Sequence, residues 1–153
     1  DLNCQLLSKA RVAPVYGPNY EFKDSFSKIS ELYKHRLIYA DPEMRDWGEL
    51  FWAEGVSQEF DNIICDSYIS AIKAAADGLG VALGIFPTLN SWVNNKQLLM
   101  PFADQIEIDK GFWLVSPKKE IPAQQKESAE RAGLYRWVKN IFDDIPLLNT
   151  DNH

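Results

Sequence analysis

The sequence is poor in the side chains that most often carry chemistry. It holds two histidines, His35 and His153, and two cysteines, Cys4 and Cys65. His35 stands between Lys34 and Arg36 and reads as a solvated surface residue, and His153 is the last residue. No pair of His, Cys or carboxylates has metal-ligand spacing. No serine lies in a G-x-S-x-G elbow, and a Ser-His-Asp arrangement would need one of two badly placed histidines. Two cysteines make no disulfide framework, although a single bond between them stays open on sequence alone. Cys65 ends the apolar run Ile63-Ile64-Cys65 and reads as a small buried hydrophobe. The expectation is a non-enzyme with no catalytic residue, metal or cofactor, working in a reducing, cytoplasmic compartment.

Basic clusters are missing too. The net charge is −6 and the pI about 4.9. Lys118-Lys119 is an isolated pair, and Lys126, Arg131, Arg136 and Lys139 alternate with acidic residues. Nucleic-acid binding rests on clustered Lys and Arg that neutralise phosphates, so this segment by itself should not bind DNA. There is no signal peptide and no apolar stretch long enough to span a membrane. The chain opens at Asp1 rather than Met, which suits a fragment or a processed product.

What is present is core-forming material. Hydrophobic residues make up 46%, with five Trp and eight Phe, enough for one globular domain or two small lobes. Ala10 to Tyr16 reads as a strand, turned at Gly17-Pro18-Asn19. A short helix follows from Phe26 to Tyr33, capped by Ser25, then a strand over Arg36 to Tyr39. Asp46 can cap a helix over Trp47 to Ala53 that Gly55 ends. Phe60 to Cys65 reads as a buried strand. Asp66 or Ser67 caps an Ala-rich helix through Ala76, and Asp77-Gly78 stops it. Val81 to Ile85 is a further strand. A brief helix after Pro87 runs to Val93, and Leu98 to Met100 and Gln105 to Ile108 are short extended pieces. Gly111 to Val115 is the last strand. The last helix spans Gln124 to Asp143, with Leu134, Trp137, Val138, Ile141 and Phe142 at the spacing of one buried face. Strands alternating with helices indicate an α/β fold with mostly parallel pairing.

The glycines of Gly78-Leu79-Gly80-Val81-Ala82-Leu83-Gly84 follow a helix and open a strand. A dinucleotide fingerprint does the reverse, so this is a helix stop and a tight turn. Asp143-Asp144 reads as a solvated pair. Trp47, Phe51 and Trp52 could line a ligand site, but packing in the core or on a lobe surface is the stronger reading.

Several segments together resemble the effector-binding domain of LysR-type transcriptional regulators. They are Val12 to Tyr20 (VAPVYGPNY), Asp66 to Gly84 (DSYISAIKAAADGLGVALG), Leu98 to Phe102 (LLMPF) and Gly111 to Pro117 (GFWLVSP), in the family's order and near its spacing. Asp46-Trp47 with Gly55 is similar to the branch of glycine-cleavage and β-lactamase regulators. That branch has a second Trp where this chain has Leu50, with Trp52 two places later.

The resemblance implies a two-lobe fold like the type 2 periplasmic binding proteins, with lobe II complete and lobe I partial. Residues 1–16 would be the remnant and hinge strand of lobe I, 17–103 lobe II, 104–145 the return hinge and the end of lobe I, and 146–153 a loose tail. It implies a small-molecule effector, of anionic character, held between the lobes by Asp66, Ser67, Phe86, Pro87, Tyr16 and Tyr39. It implies a homodimer or tetramer, with the helix Tyr68 to Ala76 as a candidate contact, and no membrane partner. DNA would be bound only through a helix-turn-helix that these residues do not contain. The rival expectation is a periplasmic-type solute-binding protein. If lobe I lacks its first strands, Trp113 and Trp137 should be exposed or covered by another chain.

Overall fold

The computed structural model describes residues 2–22, 27–40, 47–48, 61–117 and 125–143, and in the last helix the side chains of 132–140 and 142. The expected caps at Ser25 and Asp46, the helix to Ala53 with its stop at Gly55, Phe51, Trp52 and the tail lie outside the described residues.

The opening strand β1 runs from Leu2 to Tyr16 and changes character along its length. Leu2 to Leu6 are exposed, whereas Val12 to Val15 are buried. Only the buried half carries the apolar signal, so the strand is longer than the sequence suggests. The chain divides into two units near this change. One comprises residues 12–106, the other residues 1–11 with 107–153.

Among the described residues, three further strands belong to the sheet of the 12–106 unit: β2 (Leu37–Tyr39), β3 (Asn62–Ile64) and β4 (Val81–Phe86). The hydrogen-bonded order is β3-β2-β4-β1-β5, where β5 is the strand Ile106–Pro117. β2 pairs parallel with both neighbours, Ile38 facing Ile63 on one side and Ala82 on the other. Such strands need a covered surface, and β2 is buried at all three positions. Helix α1 (Tyr68–Ala76) supplies cover through Ala71, Ile72 and Ala75. Of the two caps the sequence offers, Asp66 or Ser67, the N-cap is Ser67, whose side chain accepts from the Ser70 amide. Asp77 closes it, and Gly78 follows at φ +80°, where a side chain would be strained. At Gly17 the limit is space: an added Cβ would lie 2.2 Å from the Ala76 carbonyl oxygen.

The core cluster joins Leu32, Leu37, Tyr39, Trp47 and Val81, with Tyr16, Tyr20, Phe22 and Tyr33 packed around it. Trp47 is 1% exposed and donates from Nε1 to the Ile38 carbonyl at 3.1 Å. The expected helix before β2 is a 3-10 turn, Ile29–Lys34. His35, expected in solvent, is buried and meets the Phe22 ring edge-on at 4.9 Å. His35 closes that turn in extended backbone and turns inward, while its neighbours Lys34 and Arg36 are exposed. Cys65 is half-buried rather than buried, and both cysteines are free thiols. The brief helix α2 spans Asn90–Asn94.

In the other unit, β1 neighbours β5 (Ile106–Pro117). The two short pieces expected at Gln105 and Gly111 are one twelve-residue strand. Helix α3 (Gln125–Asp143) follows the expected bounds, but its buried face does not. Tyr135, Val138 and Phe142 are half-buried, while Leu134 and Trp137 are exposed. The Phe112 and Phe142 rings meet at 5.4 Å, and the Tyr135 hydroxyl donates to the Leu6 carbonyl at 3.3 Å.

Candidate functional site

Parallel pairing sends the carboxyl ends of β2, β3 and β4 to the same edge of the sheet. Open α/β sheets place ligands outside such ends. β2 ends at Tyr39 and β3 at Ile64, and the next amide, Cys65, donates back to the Tyr39 carbonyl at 2.8 Å. Asp66 and Ser67 follow at once, so α1 begins at this edge. Its first internal bond runs from the Ala71 amide to the Ser67 carbonyl. The Ser70 amide is taken by Ser67 Oγ at 3.3 Å, and the two hydroxyls are 2.8 Å apart. The Tyr68 and Ile69 amides precede any helical acceptor, and the helix dipole adds to their pull on an anion.

Tyr68 ties this helix end to β4. Its hydroxyl accepts from the Ile85 amide at 2.7 Å. Burial pushes its phenol up to about 12. Burial also raises the Cys65 thiol, with a further push from the Asp66 carboxylate. Next along the chain, Phe86 and Pro87 are joined by a cis peptide bond, and Thr88 Oγ1 donates to the Ile85 carbonyl at 2.6 Å.

The six residues singled out from the sequence fall into four settings. Asp66 is exposed and Ser67 half-buried, both at the start of α1. Phe86 and Pro87 lie at the end of β4 with both side chains buried. Tyr39 ends β2 with its ring in the core, where burial raises its phenol. Tyr16 is half-buried, its ring 4.8 Å from that of Phe22 and its backbone bridged to Leu99. Among the described residues, the accessible polar surface at the edge thus comes from Asp66, Ser67, Ser70 and Thr88. Ser70 and Thr88 were not singled out from the sequence. The Ser-x-x-Ser spacing at a helix start was the available signal for Ser70, whereas Thr88 had none. Among the described residues, no group of three His, Cys, Asp or Glu could hold a metal ion. No described helix is long and apolar enough to cross a membrane.

Comparison with known proteins gives this edge a context. No family model matches the chain. Over 146 residues it is 21% identical to the HTH-type transcriptional activator AmpR of Citrobacter freundii, covering 93% of this chain and 47% of that protein. The chain therefore spans about half the length of that relative. The solved effector-binding domain of the same protein superposes with a TM-score of 0.67 at 17% identity, covering 94% of this chain and 68% of that one. The effector domain of AmpR from Pseudomonas aeruginosa gives 0.67 at 19%, covering 94% and 67%. Full-length LysG of Corynebacterium glutamicum, solved with bound effector Arg, gives 0.62 at 12%, covering 90% and 46%. The fold is that of the regulatory domains of LysR-type regulators, an α/β fold of the type 2 periplasmic-binding-protein kind. These neighbours are regulatory domains, not enzymes.

Proposed function

We propose that this chain is the effector-sensing domain of a bacterial LysR-type transcriptional regulator. The observation that carries the reading is the match of nearly the whole chain to AmpR in sequence and to AmpR effector domains in fold. In this reading a small molecule docks at the edge where α1 begins, and its binding alters how a helix-turn-helix elsewhere in the protein engages DNA. The protein works in the cytoplasm as a homodimer or tetramer. Solute capture outside the cytoplasm is the weaker reading, because the relatives named above are regulators.

The edge suits an effector with an anionic group. The Tyr68 and Ile69 amides would receive it, with the Ser67 and Ser70 hydroxyls beside them. Asp66 would accept from a cationic group if the effector carries both signs. Phe86, Pro87 and Tyr39 shape the edge from beneath rather than by contact, and Tyr16 offers part of its ring. Linkage between effector and DNA sites of this kind typically amounts to ~1–3 kcal/mol.

The test is an amide NMR titration of the chain with arginine and a panel of small carboxylates. Saturable shifts are expected at the amides of residues 66–70, 85, 86 and 88. Ser67→Gly, which costs a helix cap only a few tenths of a kcal/mol, should weaken binding about tenfold or more. Shifts confined to other residues, or none from any compound, would remove the edge as the site. A full-length regulator whose promoter response ignores every compound that binds would remove the sensing role.

A further inference from the structure

We infer that Tyr68 is a positioning residue: through the Ile85 peptide it holds the end of β4 to the start of α1, so that a change at that start is carried along residues 85–99 to the bridge between Leu99 and Tyr16. The inference rests on the reading of this edge as the effector's seat, and it names the route by which an occupied seat is felt at the end of β1.

The link lies wholly within the 12–106 unit. Both backbone groups of Ile85 are held by side chains. Its amide donates to the Tyr68 hydroxyl at 2.7 Å, and its carbonyl accepts from Thr88 Oγ1 at 2.6 Å. The pairing of β4 with β2 runs through Val81 and Ala82, so Ile85 lies past it. Tyr68 is the first residue of α1, directly after the Ser67 cap. Its flat ring has few rotamers with which to absorb a shift of the helix end. Burial pushes its phenol up to about 12, so the oxygen stays a neutral hydroxyl at any ordinary pH.

From Ile85 onward each turn is closed on the next. The Asn90 amide donates to the Pro87 carbonyl at 3.0 Å, and the Trp92 and Val93 amides donate to the Leu89 carbonyl at 3.0 and 3.1 Å. Lys96 then turns the chain at φ +57°, a conformation that persists in a non-glycine residue only where its surroundings fix it. Here the Gln97 and Leu98 amides fix it by donating to the Trp92 carbonyl at 2.9 and 3.2 Å. Leu99 and Tyr16 exchange two amide bonds, at 2.8 and 3.0 Å. Leu89, Asn90 and Leu98 are buried, which leaves the segment little room to absorb a displacement. Packing leads to the same place. A Cβ on Gly84 would lie 2.9 Å from both Leu89 and Val15, so the end of β4, the start of α2 and the end of β1 press on one another. β1 in turn continues into residues 1–11.

The rival route is the apolar cover that α1 supplies through Ala71, Ile72 and Ala75. That cover belongs to the body of the helix, and Tyr68→Phe leaves it in place while removing the bond to Ile85.

A chain of bonds is a coupling only where a perturbation at one end is felt at the other. The experiment is a mutant cycle on the 153-residue chain, read by amide exchange in NMR, with urea melts giving global stability. Ser67→Ala loosens the start of α1. In the parent it should speed exchange of the Leu99 and Tyr16 amides about threefold or more, and in a Tyr68→Phe background hardly at all. The Val81 and Ala82 amides should respond to neither change. Thr88→Val, at an exposed side chain, cuts the same route one step later and carries the test if Tyr68→Phe does not fold. Equal effects of Ser67→Ala in both backgrounds would overturn the inference. So would a Tyr68→Phe loss of protection spread evenly over β2, β4 and α1, which marks a purely structural bond. The effector arm uses the arginine and carboxylate panel. A compound that shifts residues 66–70 should also shift Leu98, Leu99 and Tyr16 in the parent, and in Tyr68→Phe only the first group. If no compound shifts residues 66–70, the sensing reading falls and the mutant cycle alone decides the role of Tyr68.

Discussion

Trp47 and Trp137 show how little residue type says about energetic weight. Trp47 is enclosed by the core and bonded through its indole. Trp47→Ala should cost about 3–5 kcal/mol in urea unfolding. Trp137 satisfies the same helical spacing rules but faces outward, and Trp137→Ala in this chain should stay within about 0.5 kcal/mol. A large loss from the second variant would mean that the face is covered. Gly17 carries weight of another kind. Backbone oxygens of Ala75 and Ala76 fill the space a Cβ would need, and they cannot swing aside as a side chain can. Gly17→Ala should therefore destabilise by about 1–3 kcal/mol, read by the same melts. Tyr68 gives a pH signature. Its folded-state pKa lies at about 12 against an ordinary 10.0, so the unfolded chain ionises first. Its contribution to stability is complete below pH 10 and is lost as pH rises through 12. Tyr16, Tyr20 and Tyr39 shift the same way, so stability should fall over that window in the parent and less steeply in Tyr68→Phe. An unchanged slope would mean that Tyr68 is not buried as described.

At the scale of elements, the sequence was legible wherever a local rule decides the outcome. α1 has a cap residue and a glycine stop in the primary structure, and it forms between those marks. Ser67→Ala should cost about 1 kcal/mol through the lost bond to the Ser70 amide, measured by thermal unfolding. No measurable loss would indicate that another group caps the helix. The parallel strands β2, β3 and β4 were also marked by short apolar runs between turn residues. Legibility ended where a neighbour decides. The first half of β1 has no alternation, and its extended form comes with its place beside β5. Asp109 and Lys110 looked like a break between two pieces, yet β5 continues through them with both exposed. α3 has apolar residues on more than one flank, so periodicity alone could not say which flank turns inward. Of the candidate site, the helix start was visible because capping is local. The burial of Phe86 and Tyr39 was not, since it depends on packing between distant segments.

For the whole molecule, the uneven distribution of the core has a dynamic consequence. The 12–106 unit holds Val15, Leu32, Leu37, Ile38, Ile72, Val81, Phe86 and Leu98, all essentially without exposure. Among its described residues the other unit buries Leu7 and Ala10 beside half-buried aromatics, and its Lys9–Glu107 ion pair is solvated at both ends. Solvent screens such a pair and leaves it little weight in holding the unit together. Local opening free energies follow buried contacts, so the two units should not open together. Native-state hydrogen exchange under rising urea should show β5 and α3 opening at low denaturant. β2, β4 and α1 should exchange only with global unfolding. β1 belongs to both units, so its amides should split near Arg11, the early ones opening with β5 and the later ones with β4. Uniform protection along β1 would mean that the chain unfolds as one cooperative body despite its thin half. A split, by contrast, would show the 1–11 and 107–153 unit opening on its own, below the global transition.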